Sequence, residues 1–522
     1  MTFKLTYSTM FDPPEEMHAR FESALAGVRA GLGAAHAMHV GGRDIAGGQA
    51  YEKRSPVDRR VVLGRFPLGE PRDVHRAVAA ANGAFSGWRA TPPAERVRLA
   101  KRVSALLEER VYSIGAALAL EVGKNRMEAL GETQETADFF SGYAVEYERS
   151  GGYDRVLPDD PLPGYRSHNR SVLKPYGVWA VITPFNFPLA LAGGPVAAAL
   201  ITGNTVVLKG ATDTPWAGRL LADCIRDAGF PAGVFNYVTG RGHVVGEALT
   251  SHPDLAGVTF TGSYDIGMGL YRKIAGGAHP RPCIAEMGGK NACLVTARGD
   301  LERAATGIVR SAFGLTGQKC SALSRVYVEK AVAETLLAKV LEKTRAIRVG
   351  DPCLRENWMG PVVNEASAEA YVRCCDRLRQ GGGRVLVGGA RMTDGELAHG
   401  HFVAPTVAEA PADHPLFREE LFQPILMVAH VADVRDGVAR ANDSALGLTA
   451  GCYGDDEEVR YFLDHIEAGV TYVNRPQGAT TGAWPGYQPF GGWKGSGSTG
   501  KAIGSFYYLP LYLREQSQTV VE

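Results

Sequence analysis

Between residues 177 and 288 the chain settles into one rhythm. Short runs rich in β-branched residues at 178–182, 205–208, 234–238, 258–261 and 284–287 alternate with helical stretches near 189–201, 216–228, 243–251 and 265–275. Strands that are apolar on both faces must be covered on both faces, and strands joined through helices run parallel by right-handed crossovers. The alternation therefore predicts a doubly wound α/β sheet. Such sheets take ligands outside the carboxyl ends of their strands, where loops meet helix N-termini. Gly240-Arg241-Gly242 with Gly246 has one residue too many for G-x-G-x-x-G, so the expectation rests on the alternation.

The rest of the chain is read around that unit. At 522 residues it exceeds one core and implies two or three domains. Residues 14–40 carry helical spacing, 51–66 read as a hairpin, and 71–147 as a layer of helices. Residues 167–175 look like an exposed edge strand, suited to an arm that pairs with another subunit. A second α/β region runs from about 291 to 475, followed by a Gly-rich tail from Lys494 that ends in a second strand-like arm. The expected partition is a dinucleotide-binding domain (1–152 and 175–288), a catalytic domain (289–493) and an oligomerisation arm (153–174 and 494–522).

Lys plus Arg and Asp plus Glu number 56 each, so no net field draws the chain to nucleic acid or an anionic membrane. A small-molecule partner is expected. The longest apolar tract, 178–201, is interrupted by Pro184, Asn186, Pro188 and Pro195, which predicts a buried strand, a loop and a helix rather than a membrane span. No secretory signal is read at the N-terminus, and the eight cysteines form no C-x-x-C pair. Both fit a reducing cytoplasm. No metal site is expected, because neither Cys374-Cys375 nor His399-x-His401 has further ligands at chelating spacing.

One loop stands out chemically. Gly317-Gln318-Lys319-Cys320-Ser321-Ala322 places a thiol directly after a cation, and an adjacent ammonium and a helix terminus both favour the thiolate. Cys320 is the candidate nucleophile; on these residues alone a plain buried cysteine is the other reading.

Four stretches in order resolve that choice: Thr183-Pro184-Phe185-Asn186-Phe187-Pro188, Phe260-Thr261-Gly262-Ser263 with Gly267, Glu286-Met287-Gly288-Gly289-Lys290, and Gly317 to Cys320. With Glu420-Leu421-Phe422, Pro424 and Pro489-Phe490-Gly491-Gly492, this set resembles the aldehyde dehydrogenase superfamily over nearly the whole chain. The resemblance implies a Rossmann-type NAD-binding domain facing an α/β catalytic domain, with a β-strand oligomerisation arm and a homodimer or dimer-based oligomer. It implies Cys320 as nucleophile, the Asn186 amide and the Cys320 N–H as oxyanion donors, and Glu286 as the base that hydrolyses a thioester. It further assigns Lys209, Gly262, Ser263, Gly267, Glu420 and Phe422 to the cofactor. NAD is the expected cofactor and NADP the alternative, because the usual Lys-Pro-Ala-Glu stretch reads Lys209-Gly210-Ala211-Thr212 and lacks its carboxylate. A glycine usual after Phe422 is Gln423.

Within the superfamily the chain is most similar to the 1-pyrroline-5-carboxylate dehydrogenases, which oxidise L-glutamate γ-semialdehyde to glutamate in proline catabolism. That similarity implies substrate contacts from Phe185, Glu135, Lys319, Ser321, Gly482, Ala483 and Phe490. Backbone N–H groups at Gly482 and Ala483 would receive the α-carboxylate. Trp484-Pro485 departs from the small aliphatic pair expected there. Another aliphatic or semialdehyde substrate is the alternative, and a catalytically silent fold the rival of a different class.

Overall fold

The computed structural model describes residues 3–161 and 163–522. Val178–Ile182, Thr205–Lys209 and Phe235–Val238 pair in parallel on one side, and Leu255–Thr261 and Cys283–Glu286 extend the sheet on the other. The chain order thus reverses between Val178–Ile182 and Leu255–Thr261, which creates a topological switch point. Period-two side chains bury both faces: Trp179, Val206 and Leu208 join one core, Ala180 and Val207 the other.

The four helices Pro71–Ala90, Pro93–Glu109, Val111–Val122 and Arg126–Arg149 form the expected helical layer. Residues 14–40 are helical only in part. Glu15–Ala30 is a helix that stops at Gly31, and Met38–Val40 instead continues the sheet antiparallel to Phe235–Val238, with Arg43–Ile45 beyond it. Gly33, at φ 82, makes the turn that helical spacing alone does not reveal.

A second seven-stranded sheet has the order Arg384–Val387, Thr406–Glu409, Ile425–Val431, Leu323–Glu329, Asn291–Val295, Thr449–Tyr453, Val470–Val473, parallel except at its first pair. The expected edge strand Ser167–Pro175 is in fact the middle of a three-stranded antiparallel ribbon. It pairs along its whole length with Leu513–Val521 and on its other side with Asp154–Leu157. Its alternating polarity reflects a ribbon wet on both sides rather than an open edge. No helix among the described residues is long and apolar enough to cross a membrane.

Candidate active site

The thiol lies in a turn between the helix Leu301–Phe313 and the strand Leu323–Glu329, not at a helix N-terminus. Two non-glycine residues ahead of it, Leu315 (φ 47) and Thr316 (φ 56), occupy the left-handed region, a costly conformation that persists only where surroundings enforce it. They do so here. Glu128 Oε2 accepts the Leu315 N–H at 3.1 Å, Thr316 Oγ1 donates to the Gly360 carbonyl at 2.8 Å, and Gln318 ties the loop to Val363 at 2.9 Å. Asn291 Nδ2 donates to the carbonyls of Cys320 (2.7 Å) and Ala322 (2.9 Å), which leaves the N–H groups of Cys320 and Ser321 turned toward the sulfur.

The expected activation of the thiol by Lys319 is not what the structure shows. Lys319 Nζ is spent on Glu128 Oε1 at 2.6 Å, in a pair that is almost wholly buried. Burial pushes the Cys320 thiol up to about 12, and the negative fields of Glu420 and Glu286 add to the rise. At rest Cys320 is therefore a neutral thiol. Both carboxylates are themselves displaced upward by burial. Glu286, at the end of its strand, lies well above its ordinary value even though the Gly492 N–H donates to it at 3.3 Å. Glu420 rises to about 7 and accepts the Gly289 N–H at 2.9 Å. A β-carbon at Gly288 would run into the Glu420 carboxylate, so the bare Gly288 is what lets Glu420 approach, while a β-carbon at Gly289 would run into the Cys320 carbonyl.

Cys320 opens into a largely apolar cavity. Of the residues expected around substrate, Glu135, Lys319, Ser321, Gly482, Ala483 and Phe490 all line it. Phe185 does not: it packs edge-on against Phe422, centroids 5.7 Å apart, and Phe187 takes the place in the wall. Asn186 is buried in the loop leaving Val178–Ile182 and is not among the lining residues. Glu135 accepts the Tyr7 hydroxyl at 2.6 Å and is raised by burial to about 8. Trp484 is pinned by its indole N–H to Asp138 Oδ2 at 2.8 Å and forms part of the wall.

Sequence reasoning missed Tyr7, Phe11 and Arg310, which also line this wall, along with apolar residues such as Met10, Leu191 and Ile503. The first two stand in a segment with no motif of its own, and only tertiary contact brings it here.

At the switch point, Gly262-Ser263 leads into the helix Tyr264–Ala275, whose N-cap Ser263 makes no side-chain capping bond. Uncapped N–H groups there suit an anionic ligand. Lys209 ends the neighbouring strand; burial lowers it to about 8, and Asp213 is the one charge opposing that fall.

A family model described as the aldehyde dehydrogenase family matches residues 44–517. The chain belongs to the aldehyde dehydrogenase family. Its relatives within that enzyme family include the 1-pyrroline-5-carboxylate dehydrogenases of Geobacillus sp. (strain WCH70), 35% identical, and Geobacillus thermodenitrificans, 36% identical, each covering 96% of both chains. A solved structure of 1-pyrroline-5-carboxylate dehydrogenase from Thermus with bound NAD superposes with a TM-score of 0.92 at 33% identity, over 100% of this chain and 99% of that one. The aldehyde dehydrogenase assignment thus extends over fold and sequence together.

Proposed function

We propose that the chain oxidises L-glutamate γ-semialdehyde, the open form of 1-pyrroline-5-carboxylate, to L-glutamate with NAD, in proline catabolism. The observation that carries this reading is one cavity holding the Cys320 thiol at one place and Glu135, Gly482, Ala483 and Ser321 at others. Those groups are complementary to an aldehyde that also bears an ammonium and a carboxylate.

In this reading residues 1–152 and 175–288 hold the cofactor, 289–493 supply the thiol, and 153–174 with 494–522 form an arm between subunits of a homodimer or dimer-based oligomer. Sγ of Cys320 adds to the aldehyde carbon as a thiolate, its proton having left to solvent water. The carbonyl oxygen becomes an oxyanion, received by the Cys320 N–H and the Asn186 amide; one such donor contributes about 3 kcal/mol. The nicotinamide cofactor would supply a hydride acceptor, and that is its whole chemical contribution. Lys209, Gly262, Ser263, Gly267, Glu420 and Phe422 would hold it. The uncapped helix at the switch point and the buried Lys209 fit its pyrophosphate and a ribose. Glu286 then takes a proton from water as that water attacks the thioester carbon, and the thiolate leaves. An arriving ammonium would convert Glu135 from its neutral form, so substrate binding releases a proton near neutral pH.

Steady-state assays should show kcat/KM for glutamate γ-semialdehyde well above that for propanal and succinate semialdehyde. Equal use of all three would leave the thiol chemistry in place and remove the amino-acid substrate.

Asp213 bears on the choice between NAD and NADP. Thr212, where a carboxylate is usual, spends its hydroxyl on the Gly240 carbonyl at 3.1 Å, but Asp213 is next in the chain and acts electrostatically on Lys209. A carboxylate there repels a 2'-phosphate. Asp213→Ala should raise the NADP-to-NAD ratio of kcat/KM by about tenfold, the effect of one unopposed charge. An unchanged ratio would place the discrimination elsewhere.

A further inference from the structure

Three cations stand at or behind the Cys320 cavity, and their partners differ. Lys319 is paired with Glu128 at 2.6 Å. Arg475 is committed to the anchor loop: Nη1 donates to the Thr481 carbonyl at 3.1 Å and Nη2 to the Gly482 carbonyl at 3.2 Å, with Ser8 Oγ as a further acceptor. Arg310 has neither. Its guanidinium lies on the ring of Phe11 at 3.6 Å, and no carboxylate or other acceptor engages it among the described residues. Burial is the one influence on its ionisation.

The position of Arg310 is fixed. The helix Leu301–Phe313 carries it, and the next residue, Ser311, stitches that helix to the loop before Gly482. Ser311 Oγ accepts the N–H groups of Ala479 (2.8 Å) and Thr480 (3.1 Å) and lies 3.3 Å from Thr481 Oγ1. Arg310 therefore shares the cavity wall with Ser321, Gly482 and Ala483 rather than standing apart from them. A half-buried guanidinium without an anion is costly to keep, and the cost is relieved when an anion binds. The ring of Phe11 supports the planar cation without neutralising it.

We propose that Arg310 is the specificity-determining cation of this cavity, pairing with the carboxylate of the aldehyde substrate and selecting carboxylate-bearing aldehydes over neutral ones. The inference rests on the Cys320 cavity being the aldehyde site, and not on which carboxylate-bearing aldehyde is physiological. Backbone N–H groups at Gly482 and Ala483 orient a carboxylate; Arg310 would add the full charge that a nest of amides lacks.

The test compares wild type, Arg310→Met and Arg310→Lys on glutamate γ-semialdehyde, succinate semialdehyde and propanal. Arg310→Met is expected to lose about ten- to hundredfold in kcat/KM for both carboxylate-bearing aldehydes, mainly through KM, the range for a hydrogen bond to a charged group. Propanal should change by less than about twofold, since it makes no charged contact. Arg310→Lys should recover part of the loss, because it restores charge without the fork. A direct readout covers the case of impaired folding: calorimetric binding of L-glutamate to the NAD complex should weaken about tenfold in Arg310→Lys, a variant that keeps the cation. Equal losses on propanal, or unchanged glutamate binding, would overturn the assignment. If wild type uses succinate semialdehyde as well as the amino-acid aldehyde, the proposed substrate fails. The Arg310 assignment then still stands or falls on the charged-to-neutral ratio alone.

Discussion

Cys320→Ala is expected to abolish aldehyde-dependent reduction of NAD, by roughly 10⁴-fold or more, as for other single nucleophiles removed from a covalent mechanism. The loss should be the same for every aldehyde, because it removes the bond-forming atom and not a binding contact. It should come without unfolding. The loop is held by Glu128, Asn291, Thr316 and Gln318, and none of their bonds uses the sulfur. Stopped-flow absorbance of the reduced cofactor, with circular dichroism as the folding control, checks both halves. A variant that keeps even a hundredth of the rate would point to a route without the thioester. In the wild type, the burst rate should grow with pH, because burial pushes the resting thiol up to about 12 and its ionised fraction increases as pH rises.

Glu286→Gln is expected to separate the two half-reactions. Glutamine preserves the shape and can still accept the Gly492 N–H, so the fold and acylation machinery persist while the water-activating base is gone. Steady-state turnover should fall by about 10²- to 10⁴-fold, the range for a general base, and a burst of about one reduced cofactor per site should remain. The pH profile carries the sign. Burial raises the Glu286 carboxyl well above its ordinary value, so the base form appears only as pH climbs through that raised value. Wild-type deacylation should therefore increase with pH over a range where an exposed glutamate is already fully ionised, and the variant should lose that limb. If the burst disappears as well, Glu286 acts before the thioester forms, as the acceptor of the Cys320 proton.

The parts of this molecule that were legible in its sequence are those whose signal is local. The alternation at 178–287 specified the first parallel sheet because a strand buried on both faces has an unmistakable composition, whereas the motif residues at its strand ends were read from the resemblance to the aldehyde dehydrogenases. Residues 31–40 misled because helix and short strand compete over a few residues, and pairing with Phe235–Val238 decides the outcome from far along the chain. The electrostatics of Cys320 misled for a related reason. Adjacency in sequence placed Lys319 beside the thiol, whereas Glu128, from a distant helix, claims the ammonium. Phe185 and Phe187 differ only in which way the loop turns them, and nothing in the sequence encodes that. Arg310, Tyr7 and Phe11 became visible only when the cavity closed around them.

That closure has a consequence for how the site comes into being. Its wall draws on Tyr7 near one end of the chain and Ile503 near the other, with Glu135, Phe187, Arg310 and Gly482 between. Contacts so widely separated in sequence form late, after the local helices and hairpins have paid their loop-closure entropy. No contiguous segment shorter than residues 7–503 contains the pocket. Catalytic competence is therefore a property of the finished chain alone, and a partly folded intermediate, however rich in secondary structure, holds a cysteine but not an active site.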